Sequence, residues 1–164
     1  MSFSIHQASA PVIVRALSNL SAMMDKALAA GLDEKVLLEA RLTPDMHPFP
    51  RQIQMASDSA KGGIARLAGV EAPSMPDTET TFAELKERIA RTIAFVKGVD
   101  ASAFEGSEDR EIVLTFPGNS MTFTGADFLT GFMLPNFYFH ITTAYALLRA
   151  NGAPIGKMDF LGGR

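Results

Sequence analysis

Residues 125–152 read GADFLTGFMLPNFYFHITTAYALLRANG, and the fold turns on how Pro135 is taken within them. Thr124 and Asp127 make a capping pair that starts a helix near Gly125. Phe137, Ile141, Ala144 and Leu148 recur at helical spacing and define one apolar face, and Asn151-Gly152 ends the run. Proline removes one backbone hydrogen bond and crowds the carbonyl four residues back. That residue is Gly131, which adds no side chain to the crowding. The spacing therefore predicts one long helix to Ala150, with a kink at Pro135 or a break into two pieces.

Three further helices follow from the same periodicity. The first is expected over residues 9–30, with Ser9 as N-cap, Pro11 in the first turn and Gly31 as the stop. Ile13, Ala16, Leu17, Leu20, Met24, Ala27 and Leu28 form its apolar stripe. A short helix is expected from Asp33 to Arg41. Residues 43–50, TPDMHPFP, carry three prolines and read as extended. The second long helix spans 51–68, with Ile53, Ala56, Ala60, Ile64 and Leu67 inward. Its small residues, with Gly62 and Gly63 nearby, call for a bulky neighbour. Residues 70–80, VEAPSMPDTET, are a loop by composition. Thr81 and Glu84 form a capping box for the third long helix, whose inward residues are Phe82, Leu85, Ile89, Ile93 and Val96. Glu84 with Arg88, and Glu87 with Arg91, read as i,i+4 ion pairs on its wet face. EIVLTF (111–116) and MTFT (121–124) flank PGNS and predict a hairpin. The tail APIGKMDFLGGR (153–164) reads as extended. The expected fold is all-α: a four-helix bundle with a kinked last helix and a small β-hairpin between helices three and four. A chain of this length reads as a single domain over 1–164.

Composition narrows the function classes. The 164 residues contain no cysteine and three histidines, His6, His47 and His140. A disulfide framework, a thiolate zinc site, an iron–sulfur cluster and a cysteine nucleophile are thereby excluded. Fifteen basic against eighteen acidic residues leave a formal charge of −3, which argues against nucleic acid as a partner. No apolar run has the roughly 18 residues of a membrane helix, and no membrane partner is expected. The start, MSFSIHQASAPVIVRAL, lacks the pattern of a secretory signal, so a cytoplasmic location is expected.

The candidate site residues cluster after Pro135. Asn136, His140 and Thr143 share one helix face, and the only two tyrosines, Tyr138 and Tyr145, lie in the same segment. Imidazole and phenol can each donate and accept, so ligand orientation or proton transfer is open to them. A single histidine in an aromatic helix is nevertheless more often a hydrogen-bonded core residue. On the second long helix Gln54, Asp58 and Lys61 share a face. Asp58 and Lys61 read first as a surface ion pair, and otherwise as a cavity wall opposite His140. His47 stands at the entry to that helix. The candidate ligand-binding residues are thus His140, Asn136, Tyr145, Asp58 and His47. A catalytic zinc wants three protein ligands, yet Ala144 and Asn136 stand four residues to either side of His140. No metal and no cofactor is expected. GAPIGK (152–157) resembles a phosphate loop, but its spacer is one residue short and no Ser or Thr follows the lysine. No GxSxG or GxGxxG is present.

The strings LTPDMHPFPRQIQMASDSAKGGIARLAG (42–69), TFAELKERIARTIAFV (81–96) and LPNFYFHITTAYALLRANGAPIGKMDFLG (134–162) together resemble an uncharacterised bacterial family. That family is grouped with the DinB and YfiT-like helical bundles, and the resemblance covers nearly the whole chain. It implies a DinB-like four-helix bundle and a homodimer. Many DinB-like relatives are metal-dependent transferases or isomerases that hold a divalent ion with one His on the second helix and an HxxxH pair on the fourth. This chain departs from them. Its second helix offers Gln54, Ala56, Asp58 and Lys61, and Ala144 stands where the partner of His140 would be. The expectation is a small-molecule-binding or structural homodimer that has lost the DinB-type metal triad. The alternative is a transferase, isomerase or hydrolase that uses His140 and Tyr145 for acid/base chemistry in the bundle cavity. Whether the chain is an enzyme is left open.

Overall fold

Ser4, not Ser9, begins the first helix. Its side chain accepts from the Gln7 amide and the Gln7 side chain returns the bond, a complete capping box that opens α1 (Ile5–Ala29). Ser9 lies inside the helix and its hydroxyl donates to the Ile5 carbonyl at 2.7 Å. Pro11 is therefore in the second turn, where it removes the bond to the Gln7 carbonyl. The computed structural model describes residues 3–162.

The remaining elements are α2 (Glu34–Glu39), α3 (Phe49–Ala68), α4 (Phe82–Gly98), a 3-10 turn (Ala101–Phe104), β1 (Ile112–Phe116), β2 (Asn119–Phe123), α5 (Gly125–Asp127), α6 (Leu134–Ala150) and α7 (Lys157–Leu161). The long helices α1, α3, α4 and α6 pack as a ring: α3 lies against α4 and α6, and α1 lies against the same two. One continuous core fills it, and the α3 stripe Ile53, Ala56, Ala60, Ile64 and Leu67 is wholly buried there. The chain is mostly helical, with one two-stranded antiparallel sheet. Its strands pair from Ile112 with Phe123 to Phe116 with Asn119. The turn is Pro117-Gly118, and Gly118 has φ +79°, a conformation that costs glycine nothing.

Between α5 and α6 the helical path does not break. Residues Phe128–Met133 wind as a π-helix, and Pro135 sits in the first turn of α6. A wider turn at this point relaxes the i→i−4 ladder just where proline cannot contribute to it. The Met133 side chain then fills the space above Gly63, where any Cβ would collide with its sulfur. Met133 is the bulky neighbour expected beside these small residues, and it meets α3 at Gly63.

Two further expectations are corrected. The chain end is not extended as far as residue 161. The Gly156 amide donates to Asp159 at 2.7 Å and starts α7, while Asn19 donates to the Phe160 carbonyl at 3.0 Å. Lys26 pairs with Asp159, so α7 closes onto α1. Gly163 and Arg164 lie outside the described residues. Arg88, read as a surface partner of Glu84, is instead buried, with its side chain 1% exposed. Glu84 turns back to accept from Thr80 and Thr81. The error has a simple source: i,i+4 spacing on a helix does not say what loop lies over it.

Candidate ligand cleft and the His140 pair

His140 is 4% exposed on α6 and faces the start of α3. Its Nδ1 lies 2.8 Å from Gln52 Oε1, and Gln52 Nε2 donates to the His47 carbonyl at 3.1 Å. An amide oxygen only accepts, so Nδ1 carries the proton and Nε2 keeps its lone pair. Burial holds the imidazole below its ordinary pKa of 6.5, and His47 and Arg51 nearby add to the effect. His140 is thus a neutral imidazole in one fixed tautomer. Sequence reasoning missed Gln52, and no local signal marks it, because its partner is 88 positions away.

Asp58 belongs to a different assembly. It accepts from Arg88 at 2.8 Å and pairs with Lys61 at 3.1 Å. The expected ion pair with Lys61 is present, and the buried guanidinium is added to it. Arg88 also reaches Asp77 at 3.0 Å, Glu79 at 2.9 Å and the Pro76 carbonyl at 3.1 Å. Only its Nε lacks a partner. Gln54 donates to Glu79 at 3.0 Å, and Arg51 pairs with Asp77. Burial pushes Glu79 up, but the bonds from Arg88, the backbone and Gln54 outweigh it, and its carboxyl sits below the ordinary 4.5. For Arg88, burial opposes the charge, and the three carboxylates more than offset it. The loop over residues 70–80 is thereby clamped to α3 and α4.

On its exposed side Asp58 lines a cleft of about 310 Å³ between α3, the π-helical segment and the hairpin. Asn136 lines the same cleft, with Ser59 and Arg66 completing the polar edge. Phe116, Phe128 and Phe132 supply an apolar wall, with Phe128 and Phe132 stacked at 5.9 Å between centroids. A concave site with a few convergent polar groups and aromatic walls is the usual form of a small-molecule site. The structure thus brings Asp58 and Asn136 together. His140 stands on the same helix as Asn136 but turns to Gln52. Tyr145 packs its ring edge-on to Phe160 of α7, with centroids 5.7 Å apart. His47 is exposed at the entry to α3. His6 meets Phe104 edge-on at 5.2 Å and borders two further clefts, of about 420 and 380 Å³, beside the chain start.

A divalent ion needs several donors aimed at one point. Beside His140, Nδ1 and both polar atoms of Gln52 are engaged, which leaves the imidazole one nitrogen, Nε2, to offer an ion. Among the described residues no group of three or more His, Asp and Glu side chains is placed to hold a metal ion, and the three carboxylates that do meet are gathered on the Arg88 guanidinium. The donors present do not fit the metal that the DinB-like resemblance implies for its relatives. Among the described residues no helix is long and apolar enough to cross a membrane.

No curated protein matches the chain. Among solved structures it is similar to the crystal structure of a DinB family member protein from Shewanella denitrificans, with 39% identity and a TM-score of 0.90 over 98% of this chain and 93% of that one. Residues 5–161 match the model of a domain of unknown function, DUF1993. That match runs from the first residue of α1 to the last of α7, and the chain therefore belongs to the DUF1993 family, an uncharacterised family with a DinB-like fold.

Proposed function

We propose that this protein is a small-molecule-binding, DinB-type four-helix bundle that works without the DinB metal. Its single domain spans 1–164, and the ligand sits in the cleft beside the π-helical segment. The observation that carries this reading is the meeting of Asp58 and Asn136 on one cleft with an aromatic wall. Its volume is at the low end of the 300–1,000 Å³ typical of ligand pockets, which suits a compact ligand. The single free nitrogen of His140 supports a metal-free site. His140, with its tautomer set by Gln52, serves to hold α6 on α3 rather than to bind an ion. The homodimer implied by the resemblance is part of this reading.

An amide-resolved NMR screen of small aromatic fragments tests it. Hits are expected to move the amides of Asp58, Ser59, Phe132, Met133 and Asn136. They are expected to disappear in Asn136→Trp, which fills the cleft. Hits gathered around His6 instead would remove the cleft from the proposal. Elemental analysis after soaking in zinc or nickel is expected to find well under one ion per chain. A stoichiometric ion lost in His140→Ala would end the metal-free part.

A further inference from the structure

The charges around the cleft are not balanced alike. Asp58 is already met by two cations, Arg88 at 2.8 Å and Lys61 at 3.1 Å. Arg66, the other charged residue on the cleft, donates to the Gly62 carbonyl at 3.0 Å, and among the described residues no carboxylate pairs with it. The unanswered charge facing the cleft is therefore positive. A ligand ammonium would have to compete with Arg88 and Lys61 for Asp58, and a ligand carboxylate would compete with nothing for Arg66.

Arg66 stands at the rim of the cleft with its Nη1 close over Gly62, 2.8 Å from where a Cβ there would lie. The next residue, Gly63, admits Met133 as part of the cleft lining. Arg66 thus puts a cation at the edge of the cleft, and Met133, admitted by Gly63, puts an apolar side chain beside it. Asn136 and Ser59 add neutral polar groups, and Phe116, Phe128 and Phe132 form the wall. A guanidinium gives a carboxylate two parallel donors, a geometry that a neutral oxygen or an ammonium cannot use.

From this arrangement we propose that the cleft selects small anionic amphiphiles: a carboxylate directed to Arg66 and a flat apolar body laid on the phenylalanine wall. The proposal rests on the cleft reading given above and adds the chemical class of the ligand.

Three probes of similar size, phenylacetate, phenethylamine and phenylethanol, separate the two. Each is titrated into the full-length protein at fixed ionic strength, and binding is read from the amides of Asp58, Phe132, Met133 and Asn136. Phenylacetate is expected to bind about fivefold more tightly than phenylethanol, the modest factor suited to an exposed guanidinium. Arg66→Gln is expected to remove that preference and to leave phenylethanol binding unchanged. Arg66 is exposed, so this variant is expected to keep its fold. Equal binding of all three probes, or a preference for the amine, would overturn the ligand class and leave the cleft standing. Silence of these amides toward all three would overturn the cleft and this inference with it.

Discussion

His140 is buried and hydrogen-bonded in the fold, which is how it reads first in sequence, ahead of a ligand contact or an acid/base group. Its Nδ1–H is spent on Gln52, and Gln52 is oriented by the His47 carbonyl. Protonating the ring adds a charge in a 4% exposed site that already faces His47 and Arg51. The folded-state pKa therefore lies below the ordinary 6.5. For a histidine shifted this way, the unfolded chain binds the proton more readily. The stability it contributes is complete above the unfolded value and falls as pH drops through that value toward the folded one. Urea midpoints of the wild type are expected to fall between about pH 7.5 and 5.5, and His140→Gln is expected to show a smaller fall over the same window. An equal fall in both proteins would show that His140 is not the titrating group. Asn136 and Asp58, by contrast, keep surface on a cleft and remain candidates for contact with a ligand.

Elements are held together here by polar clamps as well as by the core. Arg88 of α4 ties Asp58 of α3 to Asp77 and Glu79 of the intervening loop. Removing it leaves three carboxylates facing each other. Arg88→Met is expected to cost about 3 kcal/mol, toward the low end for a broken buried pair because Asp58 and Asp77 are partly exposed. Limited proteolysis is expected to cut the variant within residues 70–80, while α6 amides keep their protection from hydrogen exchange. Denaturant midpoints together with the cleavage sites check this, and a loop that stays uncut would refute the clamp. Glu79 adds a pH signature. Its carboxyl is held below 4.5, so its contribution is present above that value and is lost as pH falls through the folded one. This window lies below that of His140. The clamp was invisible in sequence because its members come from three segments. What was legible was local: the Thr81–Glu84 box, the Thr124 cap, the hairpin, though its turn is two residues shorter than PGNS, and the inward stripe of α3 all match. α1 is capped at Ser4, five residues before the expected cap at Ser9, and the sign of it is the glutamine three positions after Ser4 that closes the capping box. The helix at the chain end was missed because Gly156 and Asp159 give too weak a start signal without the anchor that Asn19 supplies.

At the scale of the whole molecule, one core runs from α1 through α6, and α7 closes on α1. If these elements form one cooperative unit, they unfold together. The sequence provides an unusual means of checking it. There is no tryptophan, and both tyrosines, Tyr138 and Tyr145, lie on α6. Tyrosine fluorescence therefore reports the surroundings of α6, the contact of Tyr145 with Phe160 of α7 included, whereas far-ultraviolet circular dichroism reports every helix. Coincident urea transitions by the two probes are expected for a single two-state domain. An earlier fluorescence transition would mean that the contacts of α6, with α7 or with the other long helices, come apart before the rest. The same experiment bears on assembly. A homodimer that folds on association has a midpoint that rises with protein concentration, whereas that of a monomer does not move. The homodimer reading expects a measurable rise over a hundredfold range in concentration, of about 2.7 kcal/mol by mass action if both chains fold only together. A midpoint independent of concentration, with a monomer mass in light scattering, would remove the homodimer from the proposal. It would leave the ligand cleft intact, since every residue lining it comes from one chain.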